Sequence, residues 1–249
     1  MRLHWLLPTI KGIPVLMYHR VWPGVSDGLT ITPEKLKEQW LYLKNEGYKT
    51  LALDEFIQIT KTGREFDERS ILISFDDGYK NNLQYAYPLL KELNWKAVFF
   101  IVAETLSNTA RIDKDPLNAK MTVEELRQLD PSVVQLALHG FHHEDFTNAT
   151  TEEISVILQK SIKLFQDTGL EFHKVLAYPF GARPKNKTTF DAIKKMMREI
   201  GIDAAFRIGN KPAKVPVSDI FDIKRIDIKG TDDMKDFKIK LRKGKLKPF

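Results

Sequence analysis

Short apolar runs alternate with amphipathic segments along most of the chain. PVLMYH (14–19), TLAL (50–53), ILISFD (71–76), AVFFIV (97–102), VVQLALH (133–139), KVLAYP (174–179), AAFRI (204–208) and FDIKRIDI (221–228) have the length and apolar content of buried strands. Helices with readable ends lie between them. Thr32 caps a segment with Pro33 in its first turn, Leu36, Trp40 and Leu43 share one face, and Gly47 stops it. A second helix starts at Thr122. A third starts at Thr150 or Thr151 and carries Ile154, Leu158, Ile162 and Phe165 toward Gly169, and TTFDAIKKMMREIG ends a fourth at Gly201. Buried strands separated by crossover helices are the pattern of a parallel sheet wrapped by helices. With no linker-like stretch, the pattern predicts a single-domain α/β fold, a distorted TIM-like (β/α) barrel of about seven strands. A doubly wound open sheet is the alternative.

Composition narrows this picture. At 249 residues and 43% hydrophobic content, the chain suits one large domain or two small ones, and the absence of a linker favours one. Residues 1–12 read as an N-terminal extension, 13–230 as the barrel domain and 231–249 as a basic C-terminal segment. Cysteine is absent, so any metal site must be built from His, Asp and Glu. The opening MRLHWLLPTIKGIPVLMYH has a cationic start, but Pro8, Lys11 and Pro14 break its apolar run. It reads as no signal peptide, and no run approaches the roughly 18 apolar residues of a membrane span. A cytoplasmic protein is expected, working at the membrane surface if Trp5, Leu6 and Leu7 rest there. The net charge of +6 is concentrated in KDFKIKLRKGKLKPF. That stretch is either a solvated tail or an electrostatic contact for anionic lipid or an acidic polymer. Nucleic acid is not an expected partner, since no recognition fold or stacking platform accompanies it.

The chemistry gathers where strands end, which in a barrel is the C-terminal rim. One strand ends in Tyr18-His19, another in Asp76-Asp77, a third in His139 followed by Gly140-Phe141-His142-His143, and a fourth in Tyr178-Pro179-Phe180-Gly181. His139 and His143 are four apart, the spacing that puts two rings on one face of a helical turn. With a carboxylate from Asp76 or Asp77 they would make a His-His-Asp set with open positions.

Together these motifs resemble the polysaccharide deacetylases, carbohydrate esterase family four. SFDDG (74–78) matches the family's first motif, HGFHH (139–143) its second with Gly140 in place of the usual hydroxyl residue, and YPFG (178–181) part of its third. The histidine motif usually found near the C-terminus has no counterpart after His173, whereas VLMYHRV (15–21) is similar to the N-terminal motif of the permuted poly-N-acetylglucosamine deacetylase branch.

The resemblance implies metal-dependent hydrolysis of the N-acetyl group of an amino sugar in a glycan or glycan precursor. It assigns Asp77, His139 and His143 as ligands of one divalent ion, with zinc the first expectation and iron, cobalt or nickel open. It assigns Asp76 as general base and His19 as general acid. Tyr178, Pro179 and Phe180 are expected to bind substrate, the Phe180 amide polarising the acetyl oxygen. Where many members carry an arginine near the base, this sequence has Ala177 or Tyr178, and Arg183 either reaches back or lies at the surface. The carboxylate orienting His19 stays open among Asp203, Asp219, Asp222 and Asp227. His142 is expected at the surface or beside the ligands, and His4 and His173 at the surface. Two other readings compete: a catalytically silent glycan-binding barrel, and a metal-dependent hydrolase of a non-sugar amide.

Overall fold

A computed structural model describes residues 11–107 and 113–244. His4, Trp5, Leu6 and Leu7 lie outside the described residues. The strands are β1 (Val15–Tyr18), β2 (Arg20–Val21), β3 (Thr30–Ile31), β4 (Lys49–Thr50), β5 (Ser70–Asp76), β6 (Ala97–Ile101), β7 (Val134–Leu138), β8 (His173–Ala177), β9 (Ala204–Ile208) and β10 (Ile223–Asp227). Seven of them run parallel in the order β1-β10-β9-β8-β7-β6-β5, and β1 pairs with β5 to close the ring. The chain is therefore a closed (β/α) barrel, as its hydrophobic pattern predicts, and not an open sheet.

Period-two alternation divides each strand between two cores. Val15, Leu72, Val98, Phe100, Val175, Phe206 and Ile223 point inward and pack together. Leu16, Ile71, Ile73, Phe75, Phe99 and Leu176 point outward beneath the helices. Those helices begin largely where the sequence places them. Thr32 accepts from the Lys35 amide at the head of α1 (Pro33–Asn45). The next three are α2 (Leu53–Thr62), α3 (Tyr87–Leu93) and α4 (Val123–Leu126). Capping boxes at Thr122 and Thr150 open α4 and α5 (Thr151–Thr168). Asn186 caps α6 (Lys187–Glu199).

Two segments depart from the sequence reading. TLAL is not a barrel strand: only Lys49 and Thr50 pair, against Ser70 and Ile71 on the far side of β5 from β1. The chain then enters α2 at Leu53, with Asp54 and Glu55 in its first turn. Leu53 and Phe56 pack into the inner core, so this apolar stretch serves as a plug rather than a stave. The basic C-terminal segment is also no free tail through residue 243, because it forms α7 (Met234–Lys243). Phe237 and Leu241 are buried, Phe237 meets Tyr42 edge-on at 6.4 Å, and Lys240 donates to the Asp227 carbonyl at 2.8 Å. Among the described residues, no helix is long and apolar enough to cross a membrane.

Candidate active site

Asp76 is the last residue of β5 and points inward with Leu72 and Ser74, four and two positions earlier. The next two residues, Asp77 and Gly78, both take left-handed backbone angles, φ +73° and +71°. That reversal sends the neighbouring carboxylates to different partners. Asp77 Oδ1 lies 3.3 Å from His139 Nε2 and 3.3 Å from His143 Nε2. The three donors fall within 4.8 Å of one another.

The two histidines do not meet on a helical turn, contrary to the reading of their spacing. Residues 139–143 form an irregular loop after β7. Gly140 at φ +76° and His143 at φ +63° fold it back, bringing the rings to 4.9 Å. The amides of Ala103 and Glu104 donate to the carbonyls of Gly140 and Phe141, and the Phe141 amide donates to Glu144 Oε2 at 3.0 Å. A Cβ at position 140 would sit 2.8 Å from Glu144 Oε2 and 3.2 Å from Pro179 Cγ. Glycine therefore fits this loop and a serine would not without a shift.

The donor set suits a divalent cation. His139 Nδ1 is 2.8 Å from the Ala177 carbonyl, which can only accept, so Nδ1 carries a proton and Nε2 is the ring atom turned to Asp77, free to take a ligand's part once a cation replaces any proton there. Two imidazoles and one carboxylate oxygen make three protein donors, the number with which a catalytic zinc site keeps a position for water or substrate.

Asp76 has a partner that sequence reading missed. Arg225, fully buried on β10, donates from Nη1 to Oδ1 at 2.6 Å and from Nη2 to Oδ2 at 2.7 Å. Burial opposes ionisation of Asp76, but the Arg225 guanidinium and then His139 outweigh it and hold the carboxyl below its ordinary range. The signal was present in FDIKRIDI: if Ile226 and Ile228 face the helices, Arg225 faces the barrel interior and needs a carboxylate there. Arg183 does not reach Asp76. It donates to Asp222 at 2.7 Å and stacks over Phe190, so the expected role at the base belongs to Arg225.

His19 follows β1 and faces the same carboxylate, its Nε2 4.0 Å from Asp76 Oδ2. Burial lowers its pKa against the opposing pull of Asp76 and Asp77. No carboxylate orients it from behind, because Nδ1 is buried without a partner among the described residues. Asp203 pairs with Lys61, Asp219 with Lys194, and Asp222 with Arg183 and Arg207. Burial also opposes the charge of Asp77, yet the hydrogen bond and charge of His139, with Lys120 next, keep that carboxyl well below the usual range. Lys120 was likewise missed. Its Nζ lies 3.8 Å from Asp77 Oδ2, and burial brings its own pKa down to about 8 against the pull of Asp77.

The YPFG residues separate. Tyr178 turns outward into the helix layer, 1% exposed, and its hydroxyl donates to the Phe221 carbonyl at 3.1 Å. It does not line the mouth as expected, since it continues the outward register of Leu176. Pro179 is buried behind Gly140. Phe180 stands at the mouth, 64% exposed at φ +57°, with its ring 4.3 Å from the His143 ring. His142 pairs with Glu104 at 2.7 Å on the surface, and His173 contacts Gln135 near the opposite end of the barrel.

Comparison with known proteins adds a second line of observation. The family model described as polysaccharide deacetylase matches residues 63–202, a span that holds Asp76, Asp77, His139 and His143 and leaves out His19 and Arg225. The Staphylococcus epidermidis poly-beta-1,6-N-acetyl-D-glucosamine N-deacetylase is 26% identical over 203 residues, 79% of this chain and 67% of that protein. The chain spans 63% of a Bacillus subtilis relative that bears the polysaccharide deacetylase name. Among solved structures, the Streptococcus pyogenes deacetylase PplD in complex with acetate superposes with a TM-score of 0.76 at 17% identity, covering 94% of this chain and 99% of that one. IcaB from Ammonifex degensii gives 0.73 at 19% identity, with coverage of 92% and 95%. At these identities the structural likeness is one of fold.

Proposed function

The chain belongs to the polysaccharide deacetylase family, hydrolases of carbon–nitrogen bonds, and from that premise we propose that it removes N-acetyl groups from an amino-sugar glycan or its precursor. The observation that carries this reading is the meeting, at one barrel mouth, of a His-His-Asp donor set with a second, separately held carboxylate and a histidine. Asp77, His139 and His143 would hold a divalent cation, with zinc the first assignment and iron, cobalt or nickel compatible with the same donors. Such a cation supplies Lewis-acid polarisation of a carbonyl and makes a water more acidic.

The remaining work falls to side chains of this chain. Asp76, kept ionised by Arg225, takes the proton of the attacking water. His19 gives a proton to the departing nitrogen. Its lowered pKa makes the imidazolium the stronger acid, and Asp76 at 4.0 Å is the nearby group from which a proton can come. The exposed Phe180 ring offers an apolar face to the sugar, and its amide is assigned to the acetyl oxygen. On the outer surface, Lys235 and Lys238 are exposed on α7, and the reading of this face as a contact for an anionic polymer or membrane rests on them.

The test is acetate release from N-acetylglucosamine oligomers by the purified chain, before and after chelation and with zinc restored. Release that stops on chelation and returns with zinc is expected. A zinc-loaded chain that frees no acetate from any N-acetylated glycan would overturn the reading in favour of a silent binding barrel. Release only from non-sugar amides would instead move the substrate class.

A further inference from the structure

Asp77 has two oxygens, and only one of them is accounted for by the histidines. Oδ1 faces His139 and His143, whereas Oδ2 faces Lys120 Nζ at 3.8 Å. We propose that Lys120 is a positioning residue: it occupies the Oδ2 side of Asp77 so that Oδ1 alone is turned toward the space between the two imidazoles. The proposal rests on the reading of Asp77, His139 and His143 as a cation-holding set.

The backbone gives the first reason. Asp77 sits at φ +73°, a region that a non-glycine residue occupies at a cost. Backbone preference alone does not keep such a carboxylate in one orientation, so a second anchor is needed.

The segment carrying Lys120 is built to be that anchor. Met121 donates its amide to the Gly78 carbonyl at 2.9 Å and Lys80 to the Ala119 carbonyl at 2.8 Å, so residues 119–121 are zipped against the turn that follows Asp77. Asn81 Nδ2 donates to the Leu117 carbonyl, and Arg20 Nη1 donates to Asn118 Oδ1 at 2.7 Å. Lys120 thus moves as one body with the turn it clamps, and the same segment is tied to the residue after His19.

The ammonium is held as well. It lies 3.2 Å from the centroid of the Tyr79 ring, a cation–π seat that fixes Nζ without consuming the carboxylate. A long lysine loses much rotamer entropy when ordered, and here the tyrosine face and the half-buried surroundings meet part of that cost.

Charge pairing gives the second reason. Asp76 and Asp77 each face a cationic side chain of their own, Arg225 and Lys120. Arg225 takes both oxygens of Asp76 and Lys120 takes one of Asp77, which leaves Asp77 Oδ1 as the carboxylate oxygen free to turn to the imidazoles.

The test uses the full chain loaded with Co2+, whose visible absorption reports coordination number. Wild type, Lys120→Arg and Lys120→Met are compared for that spectrum, for Zn2+ affinity by chelator competition, and for kcat and KM on N-acetylglucosamine oligomers. Lys120→Arg is expected to keep the wild-type spectrum. Lys120→Met should lose intensity as Oδ2 becomes a further donor, with kcat down roughly 10–100-fold and KM little changed, the size of effect that outer partners of metal ligands exert. The metal-free Lys120→Met chain should unfold at the wild-type temperature. A Lys120→Met chain with wild-type spectrum and turnover would overturn the proposal, and so would one whose metal-free fold is lost along with the spectrum. A wild-type chain that binds neither Co2+ nor Zn2+ would overturn the cation reading itself and this proposal with it.

Discussion

The two ends of the barrel are made by the same strands and are both buried, yet they have opposite chemistry. At the N-terminal end, Val15, Leu72, Val98 and Val175 fill the interior with Leu53 and Phe56 of the plug helix beneath them. At the C-terminal end, the same inward register carries Ser74, Asp76, Arg225 and, just past the strand, His139, all 2% exposed or less. Moving two to four residues along one strand exchanges a close-packed apolar layer for a paired charge network. The lesson is that burial alone does not fix residue type. What differs is whether each polar group has a partner, since a buried charge is tolerated only when paired and hydrogen-bonded.

The sharpest way to break this comparison is to remove one group from the charge network and one from the apolar layer. Asp76→Asn should lower acetate-release kcat about 10²–10⁴-fold, the usual worth of a general base, while Zn2+ binding persists. A variant that keeps wild-type turnover would end the assignment of Asp76 as base. In the apolar layer beneath the charges, Phe206→Ala removes a ring that packs on Phe56 and Phe100 at 5.6 Å each. It should cost about 3–5 kcal/mol of stability by urea unfolding, with acetate release per folded molecule unchanged. If activity collapsed while stability held, the charge network and the apolar layer would not be separable.

The smallest effect tests the pairing itself. Arg225→Lys keeps the charge but not the two-pronged contact, and should cost about 1.5–3 kcal/mol, the worth of one charged hydrogen bond. Burial alone would raise the Asp76 pKa, and Arg225 leads the groups that together outweigh it, so weakening the contact moves the carboxyl upward. The acid limb of kcat/KM should therefore shift to higher pH. The stability difference has a matching sign. A depressed folded pKa contributes stability that is fully present above the unfolded carboxylate value, about 4, and is lost as pH falls through the folded value. Wild type and Arg225→Lys should thus converge in stability as the solution is acidified below that range. An acid limb that stays in place would show that Asp76 does not set it.

Much of the fold was legible because it is local. A run such as ILISFD announces a strand through its own period and length, and Thr150 with Glu153 announces a helix start through its own side chains. TLAL misled for the same local reason. Four apolar residues satisfy a strand and the entrance to a buried helix equally well, and only the position of β5 beside Thr50 decided how far pairing ran. At the site, SFDDG, HGFHH and VLMYH lie at strand ends, so the sequence could bring Asp76, Asp77, His139, His143 and His19 to one rim once a barrel was inferred.

What the sequence by itself determined was the seven barrel strands, with TLAL as a false eighth, the end of the barrel at which polar groups would gather, and the residue types available there. Only the tertiary structure decided the pairings. Arg225 meets Asp76 across 149 positions, Lys120 meets Asp77 because a bridge to Tyr79 brings it there, and Tyr178 turns away from the mouth that Phe180 enters. The physical reason is that a period fixes which face a side chain takes within its own element. Which charge stands opposite it depends on how distant strands close the ring.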